Sequence, residues 1–222
     1  MNFQAHSQTP ALKQCRSGIL ALRSGLVFPA VKQMRVALES LQRELDSSPS
    51  SNEVLQEVTY PDIIAIPFDP VLVANEKQSS PNNDFCFCLR AFDLTRDDCN
   101  DKDMIASILM YNFALAMHLY GLSTGNTRHL KRALVLYSKT KTLVEAKHQD
   151  IRYAHLALAL WTNLGHVSSH FLIQEGIEVC RDNIRMILWH SPRNMLSECD
   201  LAFFSEVLLS DLASHCKNAA AA

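Results

Sequence analysis

The sequence predicts a mainly helical protein in which helical hairpins flank a short extended insertion. Three observations carry that expectation. Apolar residues recur at helical spacing over 11–45 and again from 102 towards the end of the chain. Gly and Ala fall at recurring offsets inside those stretches. The stretch between them, 53–103, holds only short apolar runs punctuated by Pro61, Pro67, Pro70 and Pro81.

Taken in order, residues 1–10 are polar and are expected to be disordered, and a single helical domain spans 11–217. Its first hairpin, 11–45, places a helix over 11–23, a break at Ser24-Gly25 and a second helix over 29–45. Pro29 suits a first helical turn, where a missing N–H costs nothing. Residues 46–52 form a polar loop. In the insertion, 62–68, 70–74 and 85–94 read as short strands or extended segments; Phe85-Cys86-Phe87-Cys88-Leu89 alternates as a strand does, and 81–84 supply a turn.

The acidic run 97–103 favours a helix N-terminus through the dipole. It opens the hairpin 104–147, with helices over 102–120, closed by Gly121, and 129–147. The next hairpin, 151–190, comprises helices over 151–174 and 177–190, with a turn at Gln174-Glu175-Gly176 and a stop before Pro192. A capping helix follows over 197–216, and 218–222 fray.

Composition narrows the function classes. With 48% apolar and 20% charged residues the 222-residue chain is an ordinary folded one, and its net charge of -2 gives no global excess of cations for a phosphate backbone. No nucleic acid is expected. Seven scattered cysteines without a CxxC pair fit a reducing compartment, so the expected location is cytoplasmic, with the nucleus possible. Residues 104–127 and 153–174 lack Asp, Glu, Lys and Arg, but a lipid-facing helix would bury Asn112, His118, Asn163, His166 and His170 at a cost. No membrane is expected; two central helices packed on both sides explain the same pattern.

Trp161-x2-Leu164-Gly165 resembles the front of the tetratricopeptide (TPR) repeat. Ser168, Ile177, Arg181 and Ile184 stand where the family has an aromatic, a small, an aromatic and a small residue. The spacing is kept: Gly165 to Ile177 is twelve residues, as is Gly18 to Ala30, with Ala21, Gly25, Met34 and Ala37 also well placed. Ala114 and Ala133 form a middle pair, with Tyr137 four residues on; their separation of nineteen adds seven residues to that turn. The resemblance covers about two thirds of the chain as three degenerate helix pairs plus a cap. An unrelated helical bundle is the alternative.

The resemblance implies an α-solenoid whose first helices line a concave groove for a protein or peptide, with no cofactor. Carried over position by position, it marks Arg16 and Arg23, then Tyr111, Asn112 and His118, then Thr162, Asn163, His166, Ser169 and His170 as groove residues. Asn112 and Asn163 each precede the small packing residue by two, a place where Asn helps hold an extended peptide in some TPR domains. A clamp for a C-terminal carboxylate is incomplete, because Arg16 replaces Asn and the gripping basic residues are missing. Independently, His155, Thr162, Asn163, His166, Ser169 and His170 share one helical face, and uncharged polar groups there need water, a ligand or internal partners. The insertion either fills the groove or builds one wall of a smaller pocket.

Chemistry is weakly signalled. His166 and His170 at i, i+4, with His118, could share a metal, which makes a metal-binding or hydrolytic helical protein the alternative function. His-Glu-x-x-His, Gly-x-Ser-x-Gly and a Gly-rich phosphate loop are all absent from the sequence, so no enzyme is expected. Cys86 and Cys88 are half a zinc site at best and fit as small buried hydrophobes. Arg128, Lys131, Arg132, Lys139, Lys141 and Lys147 accompany the single acid Glu145, forming either a solvated outer face or a surface for an acidic partner.

Overall fold

The computed structural model describes residues 9–47, 63–68, 85–95, 99, 101–147, 150–192 and 196–219. Among them are seven α-helices and a two-stranded antiparallel sheet. The helices are α1 (Pro10–Arg23), α2 (Val27–Ser47), α3 (Lys102–Thr124), α4 (Thr127–Glu145), α5 (Ala154–His170), α6 (Gln174–His190) and α7 (Glu198–Ala219); the strands β1 (Ile63–Pro67) and β2 (Arg90–Leu94) lie between α2 and α3. The expected strand at 70–74 and the turn at 81–84 fall outside the described residues.

Local chemistry sets the helix ends. Thr9 caps α1, its hydroxyl accepting from Leu12 N–H, and Pro10 takes the first position, so order begins before residue 11. Pro29 lies in the first turn of α2. Asp101 caps α3 by accepting from Met104 N–H at 3.0 Å, with Asp103 in the first turn. Ser197 Oγ accepts from Asp200 N–H at 3.1 Å and donates to the Asp200 carboxylate, closing the start of α7.

Three expected boundaries are corrected. Gly121 does not end α3; the helix runs to Thr124 and stops at Gly125, whose φ of 64° is the left-handed cap that lacks a Cβ penalty. Gly121 instead lets α4 approach, since a Cβ there would meet the Leu130 side chain at 2.7 Å. The turn after α5 comes at Phe171–Ile173 rather than at 174–176, because Leu172 adopts φ 56° and Ile173 N–H bonds back to Ser168 C=O. The last helix, α7, runs to Ala219 rather than stopping at 216.

Burial divides the helices into two kinds. α1, α2, α4 and α6 bury one stripe each, whereas α3 and α5 are buried nearly all round. Contacts explain this: α1 packs on α2, α3 on α4 and α5 on α6, and α3 also meets α1, α2, α5 and β2. α5 meets α4, α7 and β1 as well, while α7 packs on α6. By length and composition α3 could cross a membrane, yet most of it is buried against these neighbours. Gly18 permits the first pair to close, because a Cβ there would sit 2.7 Å from the Met34 side chain of α2.

Candidate functional site

Four of the polar residues picked out in sequence, Arg16, Tyr111, Asn112 and Asn163, converge on one strand edge. β1 and β2 pair in register Ile63↔Leu94 through Pro67↔Arg90, and Phe68 N–H bonds to Leu89 C=O. Alternation in an antiparallel ladder then turns the backbone groups of Leu89, Ala91 and Asp93 to β1, and those of Cys88, Arg90, Phe92 and Leu94 to the other side. An unpaired edge inside a protein would carry a large penalty. Here side chains of α1, α3 and α5 take the place of a third strand.

Asn163 Oδ1 accepts from Cys88 N–H at 2.8 Å, and its Nδ2 donates to Cys88 C=O at 3.0 Å. Four residues along, Asn112 does the same for Phe92, with distances of 2.9 and 2.7 Å. Between them, Tyr111 O–H donates to Arg90 C=O at 3.1 Å while accepting from Asn163 Nδ2 at 2.9 Å. At the end, Arg16 donates through Nη2 to Leu94 C=O at 3.1 Å and through Nε to the Asp93 carboxylate at 2.7 Å. Leu94 N–H in turn donates to Asp93 Oδ1 at 2.8 Å. Each amide is fully used, and both asparagines are completely buried.

Side chains of the same segment fill the space between the helices. Phe92 is fully buried, 5.2 Å from the Tyr111 ring and 5.5 Å from His155. Phe85 corrects the expected role of Gly165: the nearest atoms to a Cβ at Gly165 belong to the Phe85 ring, at 2.4 Å, not to α6. The Arg181 guanidinium lies over the Phe85 ring at 5.4 Å.

His118 and His166 form a second buried group. His166 Nδ1 lies 3.1 Å from His118 Nε2, and His118 Nδ1 lies 3.4 Å from the Tyr137 hydroxyl, so each neutral ring can donate with one nitrogen and accept with the other. Phe87 packs on both, at 4.4 and 5.2 Å. Burial holds His118 well below the usual imidazole range, with His166 and His170 adding to the effect. Burial pushes His166 down to about 4, with His170 contributing. Burial likewise pushes the Cys15 and Cys88 thiols up to about 12.

The other expected groove residues separate from these. Arg23 is exposed at the end of α1, and His170 is exposed on the last turn of α5, where the helix leaves the strand behind. Thr162 is buried but donates to Leu158 C=O of its own helix, and Ser169 donates to His166 C=O. Among the described residues no three His, Cys, Asp or Glu side chains assemble as a metal site. The insertion's 85–94 stretch thus lies against side chains of α1, α3 and α5.

Two features escaped sequence reasoning. Asp200 of α7 pairs with Arg90, and lies 3.9 Å from His155, tying the cap to the strand. The other is a cleft of about 600 Å³ between α2, α3 and α4, for which Arg128, Lys131 and Arg132 were the only signal. Comparisons with family models, with curated proteins and with solved structures find no match for this chain.

Proposed function

We propose that this chain is a non-enzymatic protein-binding scaffold: a TPR-like array of the hairpins α1/α2, α3/α4 and α5/α6, capped by α7, that holds its own extended segment in the groove. The observation that carries this reading is the matched grip of Asn112 and Asn163, each engaging both backbone groups of one residue. That is recognition of extended backbone as such, the physics by which a groove binds a peptide irrespective of its sequence.

The resident segment is a permanent occupant of the groove. Phe85, Cys88, Phe92 and Leu94 are each at most 3% exposed, and baring three such large side chains costs about 1.5–3 kcal/mol apiece before any hydrogen bond is counted. Partners therefore meet the outer surfaces of the helices. The buried, neutral histidine pair favours a structural role over acid–base work, because His166 Nδ1 faces His118 Nε2 and His118 Nδ1 faces the Tyr137 hydroxyl.

Affinity capture from the native cell with the full chain as bait, followed by reconstitution from purified components, tests the reading. A defined protein that forms a complex of fixed stoichiometry is the expected result. Stoichiometric metal that disappears in His166→Ala, or turnover of a small molecule, would replace the scaffold with a catalytic or metal-binding function.

A further inference from the structure

The outer cleft between α2, α3 and α4 has a composition that the packing of the array does not require. Phe113 and Met117 of α3 form its floor, with Val31 of α2 and Val135 and Leu136 of α4 on the sides. Val135 is 55% exposed on a helix whose buried stripe is supplied by Leu130, Ala133, Tyr137, Thr140 and Val144. An apolar floor of this kind gains from being covered.

Its rim is entirely cationic. Arg35 stands on the α2 wall and Arg128, Lys131 and Arg132 on the α4 wall, with no acid lining the space. Glu39 lies 3.5 Å from Arg35, but both side chains are more than half exposed, so that pair is weak. Among the described residues Arg128, Lys131 and Arg132 have no ion-pair partner, unlike Lys147, which meets Asp103 at 3.0 Å, and Lys141, which meets Glu145. In a chain of net charge -2, this is a local concentration of unmatched positive charge around apolar surface.

From this combination we infer that the α2/α3/α4 cleft docks an acidic amphipathic helix of a partner protein. The inference rests on the scaffold reading and names its surface. Apolar side chains of the incoming helix cover the half-buried Phe113 and the exposed Val135. Acidic side chains flanking its apolar stripe reach Arg35 on one wall and Arg128, Lys131 and Arg132 on the other. From Arg128 to Leu136, α4 rises about 12 Å, which matches two turns of a partner helix. Ridges of such a helix seat between the α2 and α4 walls as helices pack elsewhere. Nucleic acid would match the charges but leave the floor uncovered.

The test uses the full chain and a fluorescein-labelled peptide of roughly fifteen residues, with Leu at i, i+3, i+4 and i+7 and Glu on the flanking positions. Anisotropy is expected to show saturable binding that weakens at least about tenfold in the Arg128→Glu/Arg132→Glu variant and weakens with added salt. Lys13→Glu, an exposed change on α1, leaves binding unaltered, and circular dichroism confirms that each variant is folded. Absence of binding, equal binding by the same peptide with Lys for Glu, or indifference to the charge reversal overturns the inference. So does preferential binding of anionic vesicles or single-stranded nucleic acid through the same arginines. A cellular partner still captured by the double variant sinks this cleft while leaving the scaffold intact; loss of the scaffold reading requires the metal or turnover result.

Discussion

Replacing Asn163 by alanine removes the side chain that, alone among the described residues, pairs with the Cys88 backbone. Both the Cys88 N–H and C=O would then be buried without a partner, and each such group costs about 1–3 kcal/mol. The Tyr111 hydroxyl loses a donor but keeps its bond to Arg90 C=O, so it adds little. A destabilisation of about 2–5 kcal/mol follows, a large fraction of the total for a domain of this size. Thr162→Val is the internal control: one residue away and equally buried, its hydroxyl bonds only to Leu158 C=O of its own helix, so the change costs under about 1 kcal/mol. Urea denaturation monitored by circular dichroism reads the difference as a shift in midpoint at constant slope. Native-state hydrogen exchange adds the local readout, since protection of the Cys88 amide should fall further than that of helical amides in α6. If Asn163→Ala costs no more than Thr162→Val, or if Cys88 stays as protected as in the parent protein, the account of how the strand is held is wrong.

Other expectations follow from the same contacts. Gly165→Ala pushes a methyl group into the Phe85 ring, at 2.4 Å in the present packing, and should destabilise by about 1–3 kcal/mol, with partial rescue when Phe85→Leu is added; thermal melts of the two single variants and the pair measure this. Leu172→Gly should raise stability by about 1 kcal/mol in the same assay, because Leu172 holds φ 56° while 73% exposed and contributes little burial in return. His118 and His166 ionise near 6.5 when unfolded and at lower pH when folded. Their contribution is therefore complete above pH 6.5 and declines below it, by up to about 1.4 kcal/mol per pH unit for each ring, until His166 protonates near 4. Urea midpoints between pH 7 and 5 should fall, and His166→Leu should make that fall shallower.

Much of the architecture was legible because it is locally encoded. The apolar stripes of α1, α2, α4 and α6 carry the helical period, and α3 and α5, uncharged over long stretches, read correctly as central helices buried on both sides. Caps such as Asp101 lie within a few residues of what they satisfy. Asn112 and Asn163 also stood out, through equivalent positions ahead of Ala114 and Gly165. Turn positions were harder, since a Leu in the left-handed region at 172 leaves none of the marks that glycine would.

What the sequence alone determined, then, is the set of helices, the extended character of 63–67 and 85–94, and the asparagine, arginine and histidine side chains that needed partners. Only the tertiary structure decided that the partner is the chain's own backbone, that Gly165 accommodates Phe85, that His170 and Arg23 stand apart, and that Arg35 faces Arg128 across a cleft. Helical periodicity is a property of neighbours three or four positions apart, whereas Asn163 meets Cys88 across 75 residues. A main-chain amide, moreover, is the same at every residue, so no choice of amino acid in 85–94 announces which groups Asn112 and Asn163 will hold.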